Sequence, residues 1–331
     1  MGTALPRTGG RAVQAAITLL VVLGVALWWL LSTGGERSPG GRVTLATGVP
    51  TGVYARYGEL LKQDLAHDMP DVDLRLTRSE GSIDNLRQLV AGRAQFTIAT
   101  ADAVATYQVR SEAGADRLRA CARLYDDYMQ LVVPKDSAVR STKDLRRLRV
   151  GVGADGSGVQ LITRRLLEAA GLDFDRDITP VRVGIDRMPD LLERGKLDAF
   201  FWSGGLPTTA VQHLAQRFPV RLVQLGDLTE GLHRQGEPTR YYRAAVMPAD
   251  AYPRAQDGEA VKTIAVANLL VTTDREDAAL TEGITRTVIN SRDWIGRQVH
   301  AAQKVDLRTA VFTDPLQLHE GARRYYLSQK P

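Results

Sequence analysis

Five short segments of this chain combine glycine with hydroxyl and amide side chains in the manner of an anion-gripping loop. They are Thr47-Gly48-Val49-Pro50-Thr51-Gly52-Val53-Tyr54, Ser79-Glu80-Gly81-Ser82-Ile83-Asp84-Asn85, Thr100-Ala101-Asp102, Gly153-Ala154-Asp155-Gly156-Ser157-Gly158 and Ser203-Gly204-Gly205-Leu206-Pro207-Thr208. Each follows an apolar, strand-like run and opens a helix-like one. The first turn of a helix exposes unpaired N–H groups and a partial positive charge, which attract carboxylate or phosphate. Glycine lets the backbone approach a ligand closely, and Ser and Thr hydroxyls add adaptable donors. The same residue types also cap helices that bind nothing. Recurrence at five strand ends is what points beyond capping, and it names no ligand.

Other motifs carry less. Gly151-Val152-Gly153-Ala154-Asp155-Gly156 matches G-x-G-x-x-G between a strand and a helix. A dinucleotide site needs an acid at the end of the next strand, where Asp186 comes late and Asp173 and Asp175 come early. Ser157 has glycine on both immediate sides, whereas a nucleophile elbow has them two residues away. His67, His213, His233, His300 and His319 show no metal-ligand spacing and read as surface residues. Asp126-Asp127 is a carboxylate pair whose adjacent side chains diverge, which reads as a solvated turn. Cys121 is the single cysteine, so an intramolecular disulfide and a Cys-based metal site are excluded, and its apolar neighbours predict a buried structural thiol. The residues therefore predict no catalytic group, no metal and no cofactor.

The turns need strands and helices to hold them. Arg42–Ala46, Val72–Leu76 and Phe96–Ala99 read as strands, and Val53–Leu65, Ser82–Ala91 and Ala101–Val109 as helices. This β-α-β-α-β-α order predicts a parallel sheet with covering helices. A second series has strands at Tyr128–Pro134, Leu148–Val152, Ile178–Val183, Leu197–Trp202 and Val220–Leu225. Its helices fall at Lys143–Arg147, Val159–Ala170, Arg187–Arg194 and about Thr208 to Arg217. Gly226–Asp257 is polar without clear periodicity, Thr263–Thr272 is a long apolar strand, and helices fill Glu276–Gln298 and the C-terminal tail. Ligands of open α/β sheets bind beyond the carboxyl ends of the strands. Two such sheets facing each other predict a cleft.

Of the 331 residues, 44% are apolar and 24% charged, values that allow a buried core. The net charge of +5 is spread among acidic residues, so it predicts no nucleic-acid stripe. Ala12–Leu31 is uncharged and at 1.5 Å per residue extends about 30 Å, enough to cross a bilayer core. Arg7 and Arg11 before it predict a cytoplasmic N-terminus, and Trp28 and Trp29 suit the outer interface. A cleaved signal peptide is the competing reading, with only a weakly site-like exit at Leu31-Ser32-Thr33-Gly34-Gly35. Both place the working domain outside the cytoplasm. The expected organisation is a cytoplasmic segment 1–11, an anchor or signal 12–31, a flexible tether 32–41, one lobe from 42–132 with 263–331, and a second lobe 133–262.

At these turns the chain resembles the TAXI-type substrate-binding proteins of TRAP transporters. The matching stretches are Thr47–Tyr54, Gly81–Leu86, Leu89–Gly92, Ile98–Ala103, Ser141–Val152, Gly156–Gly158, Gly195–Phe201, Gly204–Pro207 and Val266–Val271, in order across roughly Val43–Thr272. The resemblance implies an α/β fold of the type II periplasmic-binding-protein kind. Two lobes, each with a mostly parallel sheet, would be joined by crossovers near Val132–Pro134 and Val261–Ala265. It also implies a small anionic organic solute, glutamate- or 2-oxoglutarate-like, delivered to a TRAP-type membrane permease. The contacts it implies are Gly48, Tyr54, Ser82, Asn85, Thr100, Gly156, Ser157, Gly158, Gly204 and Pro207. Tyr54 would pack on the carbon stem of the ligand or belong to the core. The second loop departs from the family's Thr-Gly-Gly-Ser by reading Arg78-Ser79-Glu80-Gly81-Ser82, which adds Arg78 as a ligand partner and puts Glu80 where it would repel an anion. Trp202 is bulky for a cleft.

The expected function is capture of a small dicarboxylate or acidic amino acid outside the cytoplasm, without chemistry. A tethered sensory module would use the same cleft. An exported enzyme would need a nucleophile–base constellation that the sequence does not display.

Overall fold

The computed structural model describes residues 39–299 and 306–330, preceded only by Val21 and Leu23. The expected span Ala12–Leu31 otherwise lies outside the described residues, and no described helix is long and apolar enough to cross a membrane.

Strand β1 (Gly41–Ala46), helix α1 (Val53–Asp68), β2 (Val72–Thr77), α2 (Ser82–Val90), β3 (Phe96–Thr100) and α3 (Ala101–Val109) follow the expected first series closely. Local pattern accounts for them. In β2, buried Val72 and Leu74 alternate with exposed Asp73 and Arg75, as on an outer strand with one covered face. In α2, buried Ser82, Asn85, Leu86 and Leu89 fall on one helical face. β3 is buried throughout, as a central strand covered on both sides should be.

The second series comprises β4 (Leu118–Pro134), β5 (Arg149–Gly151), α4 (Gly158–Ala169), β6 (Thr179–Val181), α5 (Met188–Glu193), β7 (Ala199–Gly204), α6 (Thr209–Arg217) and β8 (Val220–Val223). The expected helix at Lys143–Arg147 is a 3-10 turn, Thr142–Leu145, closed by a capping box between Ser141 and Asp144. The polar stretch Gly226–Asp257 holds two more 3-10 turns, α7 (Thr229–His233), β9 (Arg243–Met247) and α8 (Pro253–Gln256). Then come β10 (Val261–Thr273), α9 (Ala278–Asn290), α10 (Arg292–Gln298), α11 (Leu307–Ala310) and α12 (Glu320–Ser328).

The ten strands form one sheet in the order β2-β1-β3-β10-β4-β7-β5-β6, with β8 paired to β4 and β9 to β10. The outer sets are parallel: β1 with β2 and β3, and β5 with β6 and β7. Two long strands join them. β4 pairs antiparallel with β10 as far as Tyr128 and with β7 from Tyr128 to Val132. β10 pairs with β9 over Val261–Ala265 and with β3 over Asn268–Val271. The handover in β4 thus lies a few residues before the expected Val132–Pro134, and that in β10 begins at Ala265. Three apolar clusters fill the layers. One lies between β1–β3, α1, α9 and α12, one between α3, α4 and the central strands, and one around β7, α5 and α6.

Two sequence readings are corrected here. Asp126-Asp127 is not a solvated turn but lies inside β4, and Asp127 is 4% exposed. Arg119, Arg123, Asp126 and Asp127 hid the first half of this strand, because charges broke its apolar alternation. His319 is not a surface residue: it is buried, and its Nδ1 accepts a hydrogen bond from the Gly321 amide at the start of α12. Cys121 is buried and free, and burial pushes its thiol pKa far up.

Candidate functional site

Where β4 and β10 change partners, the strand ends and helix starts surround a cavity with about 630 Å³ of unfilled space, its mouth included. Gly52, Val53 and Tyr54 bring the start of α1 to it, Gly81 and Ser82 the start of α2, Thr100 the start of α3, and Ser157, Gly158 and Val159 the start of α4. Trp202, Ser203 and Gly204 come from β7, and Gly184 follows β6. The first N–H groups of each helix have no partner within their own helix, so four positive helix ends open on one space.

The α1–α3 side is wired by side chains. The Tyr54 hydroxyl donates to Asn268 Oδ1 at 2.5 Å and lies 3.1 Å from Ser82 Oγ. Ser82 Oγ accepts from the Thr100 amide at 3.2 Å. Burial pushes the Tyr54 pKa well above its usual value, so the phenol stays neutral and can keep donating. Beneath this layer Asn85 spends both amide hydrogens on the Thr47 and Ile98 carbonyls, at 2.6 and 2.7 Å, pinning the ends of β1 and β3 side by side. Asn85 therefore sets the spacing of the strands that present the cavity and does not line it.

Two glycines are required where turns from the two parallel sets meet. Gly81 caps α2 with φ 124° and ψ −156°, a region that side chains avoid, and a Cβ there would sit 3.4 Å from Ser157 Cα. Gly153 has φ 91°, and a Cβ would press within 3.0 Å of Ser157 Oγ, the Gln160 amide and Val159. The Asp84 amide donates to the Gly156 carbonyl at 3.2 Å, so these turns touch. Ser157 is spent on capping: its hydroxyl donates to the Ala154 carbonyl and accepts from the Gln160 amide.

Of the residues singled out in the sequence, Gly48, Tyr54, Ser82, Thr100, Ser157, Gly158 and Gly204 line the cavity. Asn85, Gly156, Pro207 and Arg78 do not. Gly156 contributes its carbonyl to the contact between turns, and Pro207 follows a cis peptide bond with Leu206. The Arg78 carbonyl accepts from the Gln88 amide group. Trp202 does line the cavity despite its bulk: its indole N–H donates to Thr208 Oγ1, which keeps the ring against the wall. Glu80 lines it too.

The residue that sequence reasoning missed is Asp127. It lines the cavity from the middle of β4, and its Oδ1 is buried without a hydrogen-bond partner. Its pKa is pushed up to about 7, first by burial and then by the Asp126 and Asp102 carboxylates; the Asn268 and Ser203 side chains oppose the shift without cancelling it. The Asp126 carboxylate is occupied by Arg123 and Arg243. Among the described lining residues there is no Lys, Arg or His, and Glu80 and Asp127 are the carboxylates. No group of three or more metal-ligating side chains is found among the described residues.

Behind the cavity, α3 and α4 are latched. Arg165 donates to the Tyr242 hydroxyl at 2.8 Å and to Thr106 Oγ1 at 2.6 Å, and reaches Asp102 Oδ2 at 3.4 Å. The Tyr242 hydroxyl donates to the same Asp102 oxygen at 2.6 Å.

Comparison with known proteins places this geometry. A family model described as "NMT1-like family" matches residues 45–329. A solved protein from Bordetella bronchiseptica RB50 superposes with TM-score 0.52 at 17% identity, covering 88% of this chain and 90% of that one. The periplasmic aliphatic sulphonate binding protein SsuA from Escherichia coli gives 0.50 at 15% identity, over 89% and 84%. An ancestral arginine-binding protein bound to arginine gives 0.50 at 15% identity, over 78% and 98%. At these identities the likeness shows the fold, an α/β periplasmic-binding-protein-like architecture.

Proposed function

Because this chain belongs to the NMT1-like family, we propose that it is an extracytoplasmic solute-binding protein that holds a small organic acid in the cavity at the β4–β10 handover and delivers it to a membrane transporter. The observation that carries this reading is the convergence of four helix starts, from both parallel strand sets, on one cavity. Backbone amides and the Ser82 and Thr100 hydroxyls then grip the carboxylate, since no cationic side chain lines the wall. The contact residues are Gly48, Tyr54, Ser82, Thr100, Ser157, Gly158 and Gly204, with Asn85, Gly156, Pro207 and Arg78 placed around them.

The lobes of this reading are 42–132 with 263–331, and 133–262. They open and close about β4 and β10, and a ligand touching both favours the closed arrangement by its extra contacts there. The ordered motifs shared with TAXI-type proteins support a TRAP-type permease as the recipient and a glutamate- or 2-oxoglutarate-like solute. The run Ala12–Leu31 supports tethering to the outer face of the membrane. The cavity offers binding groups and no nucleophile–base pair, which supports capture rather than turnover.

The test is a thermal melt of the full chain with a panel of small carboxylates. A ligand at about a hundred times its Kd adds about 2.7 kcal/mol of stability. An upward shift of several degrees with one of them is expected, followed by recovery of that ligand unchanged. The absence of any shift across dicarboxylates, oxo acids and amino acids would remove the reading.

A further inference from the structure

A buried carboxylate with an unpartnered oxygen is costly in a finished protein and calls for a missing partner. Asp127 is such a group, and it faces a cavity that a solute is to fill. The charged and titratable groups around it do not supply that partner. On its own strand, Asp126 is held by Arg123 and Arg243, and the Tyr125 hydroxyl is itself buried and unpaired. From α1, the Tyr54 hydroxyl is committed to Asn268. From α3, Asp102 is held by Arg165 and Tyr242. From the turn before α2 comes Glu80, another acid. From β10 the Asn268 amide and from β7 the Ser203 hydroxyl lean on the carboxylate and lower its pKa, but both are neutral and neither makes a hydrogen bond to Oδ1. The wall thus has two electrostatic poles: helix starts that favour negative charge, and an acid that lacks a cation.

We infer that Asp127 is a specificity-determining residue that receives a cationic nitrogen, so that the solute is an amine-bearing organic acid with its ammonium on Asp127 and its carboxylate on the helix starts. The inference rests on the binding-protein reading above and deepens it by choosing between the amino acid and the oxo acid. A neutral hydroxyl on the ligand would satisfy one lone pair but leave the carboxylate charge unpaired. An ammonium does both, because charge-assisted hydrogen bonds to an ionised acid are the strong ones. The raised Asp127 pKa fits a carboxyl that lacks a cation when the site is empty and is held ionised once one arrives.

The experiment is calorimetric titration of the purified full chain with matched pairs: L-glutamate against 2-oxoglutarate, L-aspartate against oxaloacetate, L-alanine against pyruvate and L-leucine against 4-methyl-2-oxopentanoate. At pH 8 at least one amino acid should bind about a hundredfold more tightly than its oxo acid. Its affinity should fall at least tenfold between pH 8 and pH 5.5, as Asp127 takes a proton that the ammonium must displace. The Asp127→Asn chain, checked for folding by its melt, should bind both members of the pair alike and lose the pH dependence. The pairwise comparison and the pH series on the unaltered chain need no variant. An oxo acid that binds as well as its amine, or an amino acid whose affinity is unchanged in Asp127→Asn, overturns the inference and leaves the binding-protein reading standing. Binding that strengthens on acidification also overturns it, since Asp127 would then be a protonated donor to an anion. If neither series binds, the organic-acid reading falls and the inference with it.

Discussion

Replacing Asp127 by Asn should stabilise the ligand-free protein, and more so as pH rises. In the folded chain the Asp127 carboxyl titrates near pH 7, whereas an ordinary aspartate titrates near 3.8. Between those values the folded chain holds a proton that the unfolded chain has released. Raising pH through this window therefore favours unfolding, with a slope of about 1.36 kcal/mol per pH unit for a single group. Over the whole window the cost amounts to about 4 kcal/mol at most, and it is fully present above pH 7. Asn keeps the shape and does not ionise, so the variant escapes that cost. From pH 5 to pH 8 the stability gap between variant and parent should widen by about 2 kcal/mol, allowing for water that reaches the cavity face. At this chain length that is a melting difference of about 3 °C. Urea titrations of both chains at pH 5, 6, 7 and 8, freed of ligand by dialysis, measure it, because the titration of all other groups cancels in the difference. A flat gap would refute the claim that burial keeps Asp127 protonated. A gap that widened towards low pH would mean that Asp127 is stabilised as an anion by hydrogen-bond donors that outweigh its burial.

Three further substitutions probe the supports of the cavity. Asn85→Ala removes two buried hydrogen bonds and orphans the Thr47 and Ile98 carbonyls; a loss of about 2–4 kcal/mol in urea unfolding is expected. Gly81→Ala forces a side chain into φ 124° and against Ser157; it should cost about 1–3 kcal/mol, and calorimetry should show weaker ligand binding because the turns can no longer meet. Arg165→Met leaves Asp102 buried without its cation; it should cost about 3–5 kcal/mol in urea unfolding, with part of that recovered in Arg165→Met combined with Asp102→Asn.

The parallel strand sets were legible because their signals are local. Alternation in Val72–Thr77, a one-faced helix at Ser82–Val90 and glycine turns between them need no knowledge of the rest of the chain. The same locality made Gly48, Ser82 and Thr100 readable as cavity residues, since a strand end that opens a helix in an α/β sheet points to the site wherever the sheet goes. The partners of the turn hydroxyls could not be read in that way: the Ser157 hydroxyl caps its own helix, while the Ser82 hydroxyl is bonded to Tyr54 and Thr100. Asp127 was illegible for a physical reason. An acid beside another acid is, by composition, a solvated turn, and only the pairing of β4 with β10 on one stretch and β7 on the next buries it. Asp127 pairs with Val266, and just beyond it the register of β10 against β4 slips between Ala267, opposite Asp126, and Leu269, opposite Arg123. A bulge of this kind re-aims a side chain, and no propensity in either strand announces it. The residue proposed to discriminate between ligands is thus set by long-range register, whereas the residues proposed to grip a carboxylate are set by local turns. If that division is right, substitutions at the turns should weaken amino and oxo acids together, and substitutions at Asp127 should separate them.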